Sequence, residues 1–266
     1  MKLYHAGSSV CSQKVRVGLA ELGLAYDSEM LDLQKGDQFD PAYMALNPDA
    51  VVPTLIDGDL VVVESSLILE YLDRTRNDGA LMPLGGAAEV AARHWLLRCV
   101  PIHAAINAMS FSTAMGPKIR AGKTEEEIRA LAARLPDPVM AMKRADLILN
   151  GLDSPFVGQA LMYLRRMLGD MQVALAAHPW VTGPEFGIVD IALIAYVDRL
   201  DRLGLAGLWQ TDHPRVGNWL SAMQARPSYG PAIADFIPAD AAAASRQAGA
   251  AHWDRIAAMW RDPGRP

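Results

Sequence analysis

Hydrophobic positions change rhythm once along this chain, and the change divides it. Through the first 76 residues short β-rich runs alternate with helical ones. Leu3-Tyr4-His5 reads as a strand that ends at Gly7. Val15, Val17, Leu19 and Leu22 then fit an amphipathic helix closed by Gly23, the residue type that suits a helix C-terminus. Residues 26–33 alternate loosely as a second strand, and residues 39–46 form a short helix, with Pro41 near its start and Asn47-Pro48 ending it. Runs at 51–56 and 60–63, joined by Asp57-Gly58-Asp59, carry a hairpin signal. Residues 65–74 return to helix, with Leu67, Ile68 and Leu72 as core candidates. The order β-α-β-α-β-β-α implies a mixed sheet with helices packed on it.

Residues 77–86 hold the best linker, because Asp78-Gly79 and Pro83-Leu84-Gly85-Gly86 are breakers. Past it the period becomes helical. The expected helices cover 87–115, bent near Pro101, then 123–134, 139–150, a run through Leu161, Leu164, Leu168, Met171 and Leu175, 188–203 and 214–225. Thr124 with Glu127 three residues on has capping-box spacing. The tail, 239–266, carries Trp253 and Trp260 on a last helical segment. The expected fold class is therefore α/β followed by all-α, with domains at 1–76 and 87–266.

Composition narrows the function without naming it. A net charge of −5 and the lack of a basic run argue against a nucleic-acid partner. No apolar stretch approaches the roughly 18 residues of a membrane span, and the run at 2–5 is too short for the core of an export signal. Only two cysteines, Cys11 and Cys99, are present, which suits a reducing cytoplasm better than a disulfide framework. The six histidines never stand at ligand spacing with cysteine or acid, so no metal site is expected and most should be surface or capping residues.

The chemistry-bearing residues cluster early. Ser8-Ser9-Val10-Cys11-Ser12 places hydroxyls and a thiol at a helix start, where unpaired backbone N–H groups and the helix dipole favour an anion. Val51-Val52-Pro53-Thr54-Leu55 and Glu64-Ser65-Ser66 follow, the latter opening another helix. By themselves these serines read equally as helix caps, and Glu64-Ser65 as an ordinary helix start.

With Asp37-Gln38-Phe39 and Ala45-Leu46-Asn47-Pro48, these segments resemble the cytosolic glutathione transferase superfamily. Ser9-Val10-Cys11-Ser12 with Lys14-Val15-Arg16 resembles its zeta-like, serine/cysteine-bearing branch, which includes maleylacetoacetate isomerases and enzymes that dechlorinate hydroquinones. The longer helical domain, with an insertion near 121–156, looks closer to bacterial β-etherase and dehalogenase types. The resemblance implies a thioredoxin-like glutathione-binding domain, a helical domain forming the wall of the electrophile site, a cis bond before Pro53, and a homodimer. It also implies site roles. Ser9 would donate to the glutathione sulfur, with Cys11 as the competing reactive group. Val52 and Pro53 would present backbone to the cysteinyl group, Glu64 and Ser65 would hold the γ-glutamyl end, and Gln38 with Lys35 would reach the glycine end. Met109, Phe111, Met115 and Tyr163, with Met140 and Met142 undecided, would line the electrophile site unless they are ordinary helix packing. Lowering a thiol from ~8.5 by about two units needs roughly 2.7 kcal/mol. One hydrogen bond to a charged group supplies about 1.5–3 kcal/mol and a helix terminus about 0.3–1 kcal/mol, so the sum suffices.

Three readings remain open alongside conjugation at Ser9: disulfide or dehalogenating chemistry at Cys11, isomerisation, and a non-catalytic ligand carrier. One departure from the family is visible. Gly187 stands three before Asp190, where Ser or Thr usually caps the helix.

Overall fold

The computed structural model describes residues 1–83 and 85–262; Leu84 of the expected linker and residues 263–266 of the expected tail lie outside the described residues. The chain divides into two compact units. One comprises residues 1–100, 173–195 and 218–238, the other 101–172, 196–217 and 239–266.

In the first unit the expected βαβαββα order is present as β1 (Lys2–His5), α1 (Val10–Glu21), β2 (Asp27–Met30), α2 (Pro41–Leu46), β3 (Thr54–Asp57), β4 (Leu60–Val62) and α3 (Ser65–Arg76), with a 3₁₀ turn at Asp37–Phe39 before α2. The sheet order is β2-β1-β3-β4, with β1 parallel to β2 and the other two pairs antiparallel. The β3–β4 hairpin closes Asp57 against Leu60 around Gly58, whose φ of 61° needs a residue without Cβ. Side chains of a strand alternate between faces. Leu3 and Leu55 accordingly meet Val15, Leu19, Ile68 and Leu72 of α1 and α3 on one side. Tyr4 packs with Tyr43 of α2, Ala6 and Val52 in a separate cluster. This is the thioredoxin-like arrangement.

Helix α1 departs from its expected one-sided pattern. Gln13, Lys14 and Arg16 are buried along with its apolar residues, so the helix is enclosed and its polar groups bond internally. The segment after α3 is held rather than loose. Asp73, buried, accepts from Leu81 N and Met82 N at 3.0 Å each and from Asn77 Nδ2 at 2.8 Å.

The remaining helices are α4 (Gly86–Ser110), α5 (Gly116–Arg120), α6 (Glu125–Ala132), α7 (Pro138–Asn150), α8 (Pro155–Ala174), α9 (Ile188–Arg202), α10 (Gly207–Gln210), α11 (Pro214–Gln224), α12 (Tyr229–Ala232), α13 (Ala239–Ala250) and α14 (Trp253–Arg261). The Thr124–Glu127 capping box forms in both directions. Helix α4 continues through Pro101 as one element, and the α-helical ladder ends only at Ser110. There the hydroxyls of Ser110 and Thr113 bond to the carbonyls of Ile106 and Met109, at 2.8 and 2.6 Å, and Ser112 also reaches Met109 O. Such back-bonding competes with the ladder, and Phe111–Met115 becomes a π-helical turn in which Gly116 N–H reaches back five residues to Phe111 O. A Cβ at Gly116 would lie 2.1 Å from that oxygen.

Gly116→Ala is therefore expected to destabilise the fold by about 1–3 kcal/mol, since a backbone carbonyl cannot step aside as a side chain would. Urea denaturation reads this as a lowered midpoint; an unchanged midpoint contradicts the close approach.

Candidate functional site

The turn from β1 into α1 is tied to itself through several hydrogen bonds. Ser9 is the N-cap of α1; its Oγ accepts from Ser12 N at 3.2 Å and its carbonyl accepts from Gln13 N at 2.9 Å. Ser12 Oγ accepts from Ala6 N at 3.2 Å, and Gln13 Nε2 donates to Gly7 O at 3.3 Å. Capping uses a lone pair of the Ser9 hydroxyl and leaves its proton available to donate. Cys11 sits in the first turn of α1 as a partly exposed thiol outside any disulfide.

Under this turn lies a buried cation that sequence reasoning did not assign a role. Arg16, 1% exposed, donates through Nη1 to Ala6 O (3.1 Å), through Nη2 to Gly7 O (3.1 Å) and through Nε to Ala232 O (2.7 Å), while its guanidinium stacks 3.8 Å from the Phe236 ring. Its Nη1 also lies 3.0 Å from His5 Nδ1. A guanidinium can only donate, so Nδ1 must accept. His5 is then the neutral tautomer protonated on Nε2, which donates to Ser28 Oγ at 2.7 Å. Burial and the Arg16 charge push its pKa down to about 4. His5 is thus an exception to the expectation that the histidines serve the surface. The only sequence signal for this pair was the Lys14-Val15-Arg16 run, which periodicity assigned to no particular partner.

The Val52–Pro53 bond is cis. Its flanks are held by α2 and the residue that ends it: Asn47 Nδ2 donates to Val51 O at 2.9 Å and to Thr54 Oγ1 at 3.2 Å. Tyr43 OH donates to Val51 O and lies 3.0 Å from Thr54 Oγ1. The Asn47-Pro48 pair read as a helix stop in the sequence; the buried Asn47 side chain is also the brace of this loop. Glu64, at the start of α3, adopts φ 68°, a strained backbone for a residue with a side chain, and remains exposed. Ser65 beside it is buried. Ser66 faces inward, accepting from Lys14 Nζ at 2.6 Å and donating to Leu96 O at 3.2 Å.

Gln38 is buried and its Oε1 has no partner among the described residues. An orphaned buried acceptor costs about 1–3 kcal/mol, and a ligand N–H removes that cost. The donor set on this unit therefore fits a peptide: a hydroxyl at Ser9, backbone at Val52, an acid and a helix start at Glu64 and Ser65, and an amide acceptor at Gln38. Lys35 is exposed and paired with Asp32 at 3.5 Å.

In the other unit a cavity of about 100 Å³ is lined by Phe111, Met140, Phe156 and Tyr163 together with Lys143 and Arg144. Phe111 and Tyr163 are thus brought together. Met109 is fully buried, and neither it nor Met115 or Met142 is among the residues lining that cavity. At the Gly187 departure, Asp190 supplies the acceptors. It takes Gly187 N at 3.2 Å, Val181 N at 3.1 Å and Trp219 Nε1 at 2.7 Å, and burial pushes its carboxyl up to about 6. A Cβ at Gly187 would stand 3.0 Å from Leu81 O, which explains the absence of a capping side chain there.

Residues 8–75 match the family described as glutathione S-transferase, N-terminal domain, and residues 125–222 the one described as glutathione S-transferase, C-terminal domain. A maleylacetoacetate isomerase of Pseudomonas aeruginosa is 30% identical over 238 residues, covering 86% of this chain and 93% of its own. The tetrachloro-p-hydroquinone reductive dehalogenase of Sphingobium chlorophenolicum is 26% identical over 236 residues, covering 86% of this chain and 94% of its own. Among solved structures, β-etherase LigF from Sphingobium sp. strain SYK-6 has a TM-score of 0.70 at 22% identity, covering 87% of this chain and 97% of its own. The chain belongs to the glutathione S-transferase family, enzymes whose cosubstrate is glutathione.

His5 makes the site's support pH-dependent. Its pKa in the folded protein, about 4, lies below the ordinary 6.5, so the unfolded chain binds the extra proton first. The stability it contributes is present above pH 6.5 and is lost as pH falls towards 4, amounting to about 2–3 kcal/mol. Denaturation at pH 7 and pH 4.5 should show the loss, and His5→Gln should flatten it. An NMR titration placing the His5 imidazole near 6.5 contradicts it.

Proposed function

We propose that this protein activates the thiol of glutathione at Ser9 for attack on an electrophilic aromatic substrate, by conjugation, ether cleavage or dehalogenation. Bound glutathione supplies a thiol whose ionised form is the nucleophile. Ser9 donates its hydroxyl proton to the sulfur, and its lone pair, bonded to Ser12 N–H, makes that proton a better donor. The hydroxyl sits at the start of α1, where the helix dipole favours negative charge. Val52 presents backbone to the cysteinyl group. Glu64 pairs the γ-glutamyl amine and Ser65, at the head of α3, receives its carboxylate, while Gln38 receives an N–H of the glycine end. The observation that carries this reading is the geometry of Ser9, capped through oxygen with its proton left to give. Residues 1–76 would then act as the glutathione module and 87–266 as the electrophile module.

Cys11 supports a second reading, because it is a partly exposed thiol, in no disulfide, one residue into the same helix. There the thiolate of Cys11 attacks one sulfur of a glutathione disulfide, forming a Cys11–glutathione disulfide while a glutathione thiolate leaves. Two cysteines outside any disulfide suit a reducing cytoplasm, and no helix among the described residues is long and apolar enough to cross a membrane. A homodimer is the assembly favoured here. Leu67 of α3 and Val90, Leu97 and Val100 of α4 are 54%, 68%, 74% and 66% exposed, an apolar face that a second copy would cover.

Ser9→Ala should lower kcat/KM at pH 7 by about 10–100-fold, the value of one hydrogen bond to a charged sulfur; unchanged turnover excludes Ser9. Mass measurement after exposure to oxidised glutathione distinguishes the second reading, which requires an adduct on Cys11. Leu97→Arg should convert the dimer to monomer in sedimentation, and a wild-type monomer refutes the assembly.

A further inference from the structure

The smaller of two cavities in the helical unit, the one lined by Tyr163, holds two cations and no acid among its lining residues. Its wall is aromatic, with Phe111, Phe156 and Tyr163, and no Asp or Glu is among its lining residues. The guanidinium of Arg144 lies 3.9 Å from the Phe111 ring centroid, and Lys143 Nζ lies 5.2 Å from that of Phe156. Among the described residues neither cation has a hydrogen bond or an ion pair with the protein; their recorded contacts are these ring faces. Several other arginines of the chain are paired with acids. Arg226 is held by both oxygens of Glu21, Arg246 by Asp201 and Arg202 by Asp198.

Removing a guanidinium from water without an anion is unfavourable. Burial depresses the Arg144 pKa to about 10, so the group stays charged at neutral pH while only partly exposed to water. A ring face offsets only part of that cost. The placement of Phe111 follows from the backbone: it opens the π-helical turn, whose wider winding displaces it from the α-helical register of α4 and sets it beneath Arg144. The cavity, at about 100 Å³, admits little more than one ring.

We propose that this cavity takes the electrophile and selects arenes bearing an anionic oxygen, a carboxylate or phenolate, which Arg144 and Lys143 receive while Phe111, Phe156 and Tyr163 hold the ring. The choice of electrophile rests on the transferase reading above; binding of an aromatic anion does not. Guanidinium and ammonium donors give charge-assisted bonds to such an oxygen. The same aromatic faces that now contact the cations are then available to the ring.

The test is calorimetric titration of the full-length protein, without glutathione, with 4-chloro-3-nitrobenzoate and with 4-chloro-3-nitrobenzamide, which share the ring and the halide and differ in charge. The benzoate should bind at least about tenfold more tightly, Arg144→Met should bind the two alike, and Arg144→Lys should keep most of the preference. Lys143→Met should reduce it partially. Equal affinities in the wild type, or binding of neither, overturn the proposal, as does a preference that survives in a folded Arg144→Met. Should Arg144→Met fail to fold, the wild-type pair and Lys143→Met decide. A protein that prefers the benzoate yet turns over neither compound with glutathione keeps the anion site and loses the transferase reading.

Discussion

The first unit is organised around one buried guanidinium. Arg16 holds the carbonyls of Ala6, Gly7 and Ala232 and stacks on Phe236, so a single side chain of α1 fixes the end of β1, the turn carrying Ser8 and Ser9, and the distant 218–238 segment. Burial, together with the positive charge of Arg16, keeps His5 neutral, and a neutral His5 in turn accepts from Arg16. These contacts tie a loop of small residues to the buried guanidinium and to His5. Ser9 caps the helix through its oxygen, and on the reading proposed above it would donate its proton from the same position.

The same logic recurs around the peptide-facing loops. Backbone around the cis bond and the head of α3 is braced from behind by side-chain hydrogen bonds. Asn47 and Tyr43 hold the carbonyl of Val51 before the cis Val52–Pro53 bond. Ser66 couples the head of α3 to Lys14 of α1 and to Leu96 of α4. Against these satisfied groups the exceptions are informative: the orphaned Gln38 Oε1, the left-handed Glu64, and the acid-free cations of the helical cavity. Each is a local cost in the protein that a ligand of complementary chemistry would relieve.

The sheet and its helices were legible because their signals are local. Period-two runs, the Asp57-Gly58 turn, the Gly23 stop and the Thr124–Glu127 box all lie within a few residues of what they determine. Ser9, Pro53 and Glu64 stood out for the same reason. Arg16 and His5 did not, because their meaning comes from contacts with Ala232, Phe236 and Ser28 far along the chain. The π-helical turn was also hidden. A Ser-Phe-Ser-Thr run before Met and Gly still fits helical periodicity, and only the hydroxyl bonds to Ile106 and Met109 reveal the altered ladder. Arg144 carries no local signal, because its meaning comes from the Phe111 ring beneath it and the acid-free lining of the cavity.

The central claim is that a hydroxyl at the head of α1 keeps a peptide sulfur ionised at neutral pH. Its most direct measurement is a pH titration of bound glutathione carrying a ¹³C label at the cysteinyl β-carbon, whose shift follows the sulfur's charge. The account predicts a bound thiol pKa near 6–7, about two units below the ~8.5 of a free thiol. A bound thiol that titrates with the free peptide would contradict it.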